Sequence, residues 1–148
     1  MMKFEVIEAK PWHVGQMART LKQEQREAIS KFGVNLHKEM TRIYDASYYR
    51  KVWVIDGKIV AIGGVAGSIM SCVGFMWLAA STFALQYPVE MVKETKRQLA
   101  NALSIHSELS ATTIRGDQIS KRFLHFFGFA ECDSNDMWDT YELKKEVK

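Results

Sequence analysis

The dipeptide Asp56-Gly57 constrains the fold of this 148-residue chain more than any other feature. Strand-forming residues flank it on both sides, at 52–55 and at 59–62. Asp-Gly is a pair that type I′ turns prefer, because both central residues of such a turn need a positive φ. The pattern predicts a tight hairpin, so the fold must include these two adjacent antiparallel strands.

Two helices are predicted before the hairpin. A short strand at residues 4–7 precedes a helix that Pro11 opens and Gly33 is expected to end. Asn35 can then cap a second helix. The apolar stripes that indicate the two helices are formed by Val14, Met17, Ala18, Leu21, Met40, Ile43 and Tyr44.

Strands and helices alternate after the hairpin. An apolar run at 73–80 predicts a central strand, and Pro88 opens a helix whose solvent-facing side includes Glu94. Residues 109–115 and 137–143 have strand patterns on either side of a further helix. The order β-α-α-β-β-β-α-β-α-β follows. It predicts an α/β fold with a mixed sheet that carries helices on both faces.

Length and charge limit the kind of protein. The chain fits a single domain, residues 1–148, with no linker. A formal net charge of +3 gives no concentrated basic face, so we expect no nucleic-acid partner. Cys72 and Cys132 lack metal-ligand spacing, so no metal site is expected. No uninterrupted apolar run suits a membrane span or a signal peptide, and we therefore expect a cytoplasmic protein.

The most specific local pattern lies at residues 117–129. It runs from Asp117 through an amphipathic stretch containing Phe123 to Gly128-Phe129. Asp can cap the start of a helix, Gly can end it, and the aromatic residue can seal it to a sheet. Together with the element order, this segment resembles the last helix of the GNAT acetyltransferase superfamily. The resemblance spans nearly the whole chain and implies the GNAT fold.

The GNAT resemblance implies a binding site for acetyl-CoA. In that superfamily the fourth and fifth strands splay apart, and the pantetheine arm pairs with the fourth strand. The pyrophosphate sits at the N-terminus of the next helix. Residues 76–81 would face the pantetheine here, and residues 82–89 would form the phosphate turn. The implied cofactor-binding residues are Met76, Trp77, Leu78, Ala79, Ala80, Ser81, Gln86, Val89, Asp117 and Phe123.

The sequence departs from the superfamily's pattern in three respects: the phosphate turn, the position of the catalytic acid, and the absence of an obvious base. The turn at 82–89 has no glycine, whereas the superfamily's phosphate turn usually has closely spaced ones. Leu124 occupies the position where the superfamily often has a tyrosine that protonates the leaving thiolate. The fourth strand offers no Glu or Asp as a base. Glu39 and Asp45 are carboxylates that could reach an acceptor cleft, although an exposed helix surface is the simpler interpretation. The catalytic residues are therefore unknown from the sequence, and whether the protein is an enzyme stays open.

A narrower resemblance is to short proteins of T7-like podophages, of the internal virion protein A type. It rests on the glycine-free turn, on Trp77, on the basic third helix and on the segment 122–128. Two functions stay open. One is an N-acetyltransferase that acts on an amine, and the other is a degenerate scaffold that serves in virion assembly or inhibits a host protein. The phage resemblance implies the host cytoplasm or the virion as location, and the oligomeric state is unknown.

Overall fold

The computed structural model describes residues 3–20, 36–81, 84, 86–114, 118–134 and 138–145. The strands are β1 (Phe4–Glu8), β2 (Ser47–Ile55), β3 (Lys58–Ala66), β4 (Val73–Ala80), β5 (Glu108–Ile114), β6 (Ala130–Ser134) and β7 (Trp138–Lys144). The helices are α1 (Pro11–Thr20), α2 (Leu36–Ala46), α3 (Pro88–Ile105) and α4 (Gln118–Phe126).

The described strands form one seven-stranded sheet in the order β1-β2-β3-β4-β5-β7-β6. Neighbouring strands are antiparallel except β4 and β5, which run parallel. A parallel pair needs a crossover connection, and α3 provides it. The parallel pair therefore joins an N-terminal part of the sheet to a C-terminal part.

The turn between β2 and β3 confirms the hairpin prediction. Asp56 has a φ of 50° and Gly57 a φ of 81°, both positive as a type I′ turn requires. The backbone N–H of Lys3 donates to the Asp56 carboxylate at 2.8 Å. The Asp56 N–H donates to the Lys3 carbonyl at 2.9 Å. These two bonds fasten the turn to the residue before β1, so β1 is aligned against β2.

Helices α1 and α2 cover one face of the sheet. Val14 and Met17 of α1 and Met40 and Tyr44 of α2 are buried in one cluster with Ile62 of β3. Each belongs to a predicted apolar stripe or strand. Burying a side chain of this size contributes about 1.5–3 kcal/mol, so this cluster fixes both helices on the sheet.

Helices α3 and α4 cover the opposite face. Leu99 of α3 packs in a cluster with Val65, whose side chain points away from that of Ile62 because side chains alternate along a strand. The Lys96 ammonium of α3 lies 5.9 Å from the ring centroid of Phe126 in α4. The two helices are therefore neighbours on this face.

Strand β6 is missing from the order expected from the sequence. All five of its residues, Ala130–Ser134, are exposed, and they pair with β7 at the edge of the sheet. An edge strand without a buried face has no alternating apolar pattern. Hydrophobic periodicity therefore does not detect it.

Helix α3 begins at Pro88 as predicted, but the expectation that Glu94 faces solvent is wrong. Only 4% of Glu94 is exposed. Arg97 donates to its Oε1 at 2.6 Å and the Gln98 amide donates to the same oxygen at 2.8 Å. A carboxylate can be buried when it is paired in this way, and its residue type alone does not reveal the pairing.

The predicted helix signals Gly33, Asn35 and Asp117 lie outside the described residues. The end of α4 is described and agrees with the prediction. Gly128 has a φ of 92°, and Phe129 behind it is buried. Within the described ranges, no helix has the length and apolar character needed to cross a membrane.

Candidate functional site

Strands β4 and β5 pair over only part of their length. Their register begins at Val73 and Glu108 and ends at Met76 and Ala111. Both strands continue past this point, β4 alongside β3 and β5 alongside β7. The two strands therefore separate. Among the described residues, none pairs with the β5-facing edge of β4 over residues 77–80, which we call the splayed segment.

The side chains of the splayed segment alternate between the two faces of the sheet. Trp77 and Ala79 pack with the α1 and α2 layer, while Leu78 and Ala80 pack on the α3 side. The Trp77 indole donates from Nε1 to the Ser47 hydroxyl at 2.7 Å. That hydroxyl donates in turn to a carbonyl in the last turn of α2 at 2.7 Å. The indole is therefore held in one orientation.

Ser81 follows the splayed segment and is fully buried. Its hydroxyl donates to the Ile59 carbonyl at 2.9 Å. Its backbone N–H donates to the Val60 carbonyl at 2.8 Å. Both donors are engaged within the protein, so Ser81 fixes the end of β4 against β3. The cofactor contact implied for Ser81 remains a prediction.

Helix α3 begins shortly after the splayed segment. Tyr87 is its N-cap residue and makes no side-chain capping bond, and Pro88 follows it. N–H groups of a first turn without a cap can bind an anion. Gln86 and Val89, both implied residues of the phosphate turn, are exposed beside this helix start. Glu90 in the first turn adds a negative charge that opposes an anion.

The implied residues of α4 have different surroundings. Phe123 is half-buried, and its ring meets that of Phe127 edge-on with centroids 4.9 Å apart. Leu124 is buried in the cluster that includes Tyr141, so this position faces the core and its side chain has no proton to donate. Asp117 lies outside the described residues, as do residues 82, 83 and 85 of the phosphate turn.

The two carboxylates suggested for the acceptor side lie on α2. The Glu39 carboxylate pairs with the Arg42 guanidinium at 3.0 Å, and the two side chains are 37% and 67% exposed. Asp45 is exposed. An exposed ion pair of this kind contributes little to stability or to chemistry. The geometry therefore gives neither residue a catalytic role.

Sequence reasoning missed a hydrogen-bonded pair at the other end of β4. Only 1% of His106 is exposed, and its Nδ1 lies 2.7 Å from the Ser71 carbonyl oxygen. A carbonyl can only accept, so Nδ1 carries the proton and Nε2 accepts from the Tyr48 hydroxyl. Burial raises the pKa of Tyr48, which keeps that proton in place. No local pattern could predict this contact between residues 58 positions apart.

A second unpredicted feature is an apolar groove between α3 and the sheet, which we call the α3 groove. Its floor is Gly63, which lies in register between Lys51 of β2 and Leu78 of β4. Thr95 of α3 is among the residues above it, and the cavity measures about 60 Å³. The α3 groove lies over β2, β3 and β4 on the face of the sheet that α3 covers, and Trp77 and Leu78 of the splayed segment are among its lining residues. The two features therefore adjoin each other at β4.

No protein-family model and no curated protein matches the chain. Solved structures match almost its whole length. The protein PH1933 from Pyrococcus horikoshii superposes with a TM-score of 0.75 at 11% identity, covering 99% of this chain and 100% of that one. Ard1 from Thermoplasma volcanium superposes with a TM-score of 0.73 at 11% identity, covering 97% and 99%. A Paia N-acetyltransferase from Thermoplasma acidophilum, in complex with coenzyme A, superposes with a TM-score of 0.67 at 10% identity, covering 97% of this chain and 99% of that one.

The superpositions agree with the α/β fold and its mixed sheet. At this level of identity, they establish the fold alone. The phage resemblance gains no support from these neighbours and stays a prediction. The chain has the fold of the GNAT acetyltransferases.

Proposed function

We propose that this protein is an N-acyltransferase that transfers an acetyl group from acetyl-CoA to an amine. The observation that carries the proposal is the separation of β4 from β5 after Met76 and Ala111. Backbone groups of the splayed segment face a gap, and enclosed backbone groups need hydrogen-bond partners. The pantetheine arm of acetyl-CoA carries amide groups and can occupy the gap as an added strand does.

The start of α3 supports the same assignment. Its uncapped first turn offers N–H groups and the positive end of the helix dipole to a pyrophosphate. Lys93 and Lys96 on the exposed side of α3 add positive charge further along. Because the turn has no glycine and Glu90 is close by, we expect weaker binding than a glycine-rich loop gives.

The arrangement supports direct transfer. The amine nitrogen attacks the thioester carbonyl carbon, the carbon–sulfur bond breaks, and the nitrogen loses a proton as the amide forms. Backbone N–H groups of the splayed segment can donate to the carbonyl oxygen while negative charge develops there. The protein contributes mainly by holding the two reactants together.

The core position of Leu124 bears on the leaving group. This residue cannot protonate the thiolate, because it has no proton to give and faces away from solvent. A thiol has a pKa of about 8.5, so a thiolate can leave to solvent and be protonated there. We therefore expect a slow enzyme whose rate rises with pH as the acceptor amine loses its proton.

The second candidate is a GNAT scaffold without chemistry, serving as a virion-assembly factor or as an inhibitor that binds a host protein. The glycine-free turn and the buried Leu124 favour it. A fold does not determine a function.

Titration with acetyl-CoA tests both candidates. At 100 times Kd, binding adds about 2.7 kcal/mol to stability, a rise in Tm of about 5–11 °C for a chain of this size. Release of free CoA thiol is then measured with a panel of amines, including a polyamine and a peptide with a free N-terminus. Binding with turnover supports the transferase, and binding without turnover supports the scaffold. No shift at millimolar acetyl-CoA rejects the acyltransferase.

A further inference from the structure

The α3 groove exists because β3 presents a glycine between two strands that carry large side chains. A Cβ on Gly63 would lie 2.8 Å from the Trp77 carbonyl oxygen and 3.1 Å from Leu78 Cδ1. These distances are shorter than ordinary van der Waals contact, so a larger residue does not fit without a shift of β4. The close approach of β4 therefore requires a glycine at this position in the floor of the α3 groove.

The walls of the α3 groove are held in place before anything binds. The Tyr49 hydroxyl donates to the Gln98 side-chain oxygen, and Gln98 donates in turn to the buried Glu94. Tyr48 is held by its bond to His106. Because both tyrosines are already ordered, an occupant loses little free energy to ordering them.

The charges around the α3 groove favour a neutral occupant. Lys51 is the charged residue among those that line it, and its ammonium lies 3.0 Å from the Glu8 carboxylate. A charged occupant would give up its hydration and find no unpaired charge in return. The remaining lining is mostly apolar, with Met76, Leu78 and Ile105 among it.

One polar group beside the α3 groove has no partner. Only 3% of Thr95 is exposed, and its hydroxyl makes no hydrogen bond to any residue that the structure describes. A buried hydroxyl in this state is unfavourable. Threonine in a helix has two accessible χ1 rotamers. An occupant with a hydroxyl group can therefore draw the Thr95 hydroxyl into the groove and supply the missing bond.

The volume limits what can enter. One enclosed water needs about 10–15 Å³, so the 60 Å³ of the α3 groove hold about four to six non-hydrogen atoms. The rest of a larger molecule would protrude beside Ile105, which is 47% exposed.

We propose that the α3 groove binds a small uncharged alcohol, and that Thr95 binds its hydroxyl group. The site adjoins the gap assigned to acetyl-CoA at Trp77 and Leu78, and its occupant is a separate ligand. The inference stands whether or not the chain transfers acetyl groups.

The test uses the full chain and two ligands that differ in one hydroxyl, benzyl alcohol and toluene. Backbone amide shifts in NMR spectra follow each titration for the wild type and for Thr95→Val, which keeps the shape and removes the hydroxyl. Thr113→Val is the matched control, because the Thr113 hydroxyl is also buried without a partner but does not line the α3 groove. Thr95→Met fills the groove.

We expect saturable shifts around the α3 groove with a Kd of about 1 mM for benzyl alcohol. Thr95→Val should weaken the binding of benzyl alcohol about fivefold and leave the affinity for toluene nearly unchanged. Thr113→Val should change the affinity for neither ligand. A folded Thr95→Met protein should bind neither ligand. The proposal is overturned if no saturable shifts occur, if Thr95→Val and Thr113→Val behave alike, or if folded Thr95→Met still binds. Should Thr95→Met not fold, the two valine variants decide the question.

Discussion

The two halves of β4 are both apolar and have different surroundings. Residues 73–76 pair with β3 or β5, with Phe75 and Met76 paired on both sides, whereas residues 77–80 pair with β3 alone. The paired half is also fixed by His106, which bonds the Ser71 carbonyl and the Tyr48 hydroxyl. The splayed half keeps backbone groups available for another molecule. One half of the strand thus secures the fold, and the other half leaves room for a ligand.

The difference separates two kinds of mutational effect. Changes around His106 should lower the free energy of unfolding without touching the gap between β4 and β5. Changes at the start of α3, beside the splayed half, should alter binding and leave stability almost unchanged because the residues there are exposed.

Replacement of His106 by alanine should have the largest effect. It removes a fully buried ring and leaves the Tyr48 hydroxyl without its acceptor. We expect a loss of about 3 kcal/mol and a decrease in Tm of about 6–12 °C. Thermal and urea denaturation measure it. The matched control Tyr48→Phe removes one bond and should lose about 1 kcal/mol. A His106→Ala protein as stable as the wild type would contradict the role of the paired half.

Val89→Glu tests whether the start of α3, beside the splayed half, binds acetyl-CoA. Val89 is 59% exposed in the first turn of α3, where a carboxylate suits the helix dipole, so the variant should fold. The new charge should repel the pyrophosphate of acetyl-CoA and weaken binding about tenfold, or about 1.4 kcal/mol. Calorimetry at low salt measures it, and added salt should reduce the difference. Val89→Gln is the neutral control. Equal affinities of the two variants for acetyl-CoA would show that the start of α3 does not belong to the binding site.

Removing the unpaired hydroxyl of Thr95 or of Thr113 should raise the free energy of unfolding. The gain should be smaller than the loss expected for His106→Ala. Valine at either position keeps the shape and removes a buried group without a partner. We expect each variant to gain about 1 kcal/mol of stability and about 2–4 °C in Tm. Chemical denaturation of the two single variants measures the gain. A clear loss of stability in Thr95→Val would show that its hydroxyl has a partner in the folded protein.

The smallest expected effect is a pH dependence beside the paired half, at Glu108 of β5, which lies opposite Val73. A hydrogen bond shared with the Glu142 carboxyl raises the pKa of Glu108 above its usual value. The folded state therefore binds this proton more tightly than the unfolded chain. The resulting stability is present below the unfolded pKa, about 4.3, and is lost as the pH rises through the folded pKa.

Glu108→Gln removes the titrating group and should therefore be more stable relative to the wild type at neutral pH than at acidic pH. Urea unfolding midpoints at the two pH values provide the measurement. If Glu108→Gln were instead more stable relative to the wild type at acidic pH, folding would lower the pKa of Glu108 and the prediction would be wrong.

Local features of the fold could be predicted because they depend on a few neighbouring residues. The Asp56-Gly57 turn, the start of α3 at Pro88 and the end of α4 at Gly128 all depend on backbone preferences that operate within one turn. Counting these elements was enough to place the fourth strand and the helix after it.

Features that depend on register could not be predicted. One such feature is the end of the β4–β5 pairing at Met76, and another is the position of Gly63 between two large side chains. To predict either feature, one must know which residues lie opposite each other in neighbouring strands. The burial of Glu94 depends on its partners Arg97 and Gln98, and the second of these is bonded across to Tyr49. Propensity and periodicity contain no information about such contacts.

The Asp56-Gly57 turn also bears on the order in which the sheet assembles. A hairpin with a two-residue turn forms in about 1–10 μs. The parallel contact between β4 and β5 instead closes a loop that contains all of α3, as in the bond from the Ser107 hydroxyl to the Cys72 carbonyl across 35 residues. Contacts at such a separation form late, because the entropy of loop closure must be overcome first. Strands β2, β3 and β4 close shorter loops when they pair, so they can assemble around the hairpin during synthesis. The gap beside β4 takes shape only when β5 arrives.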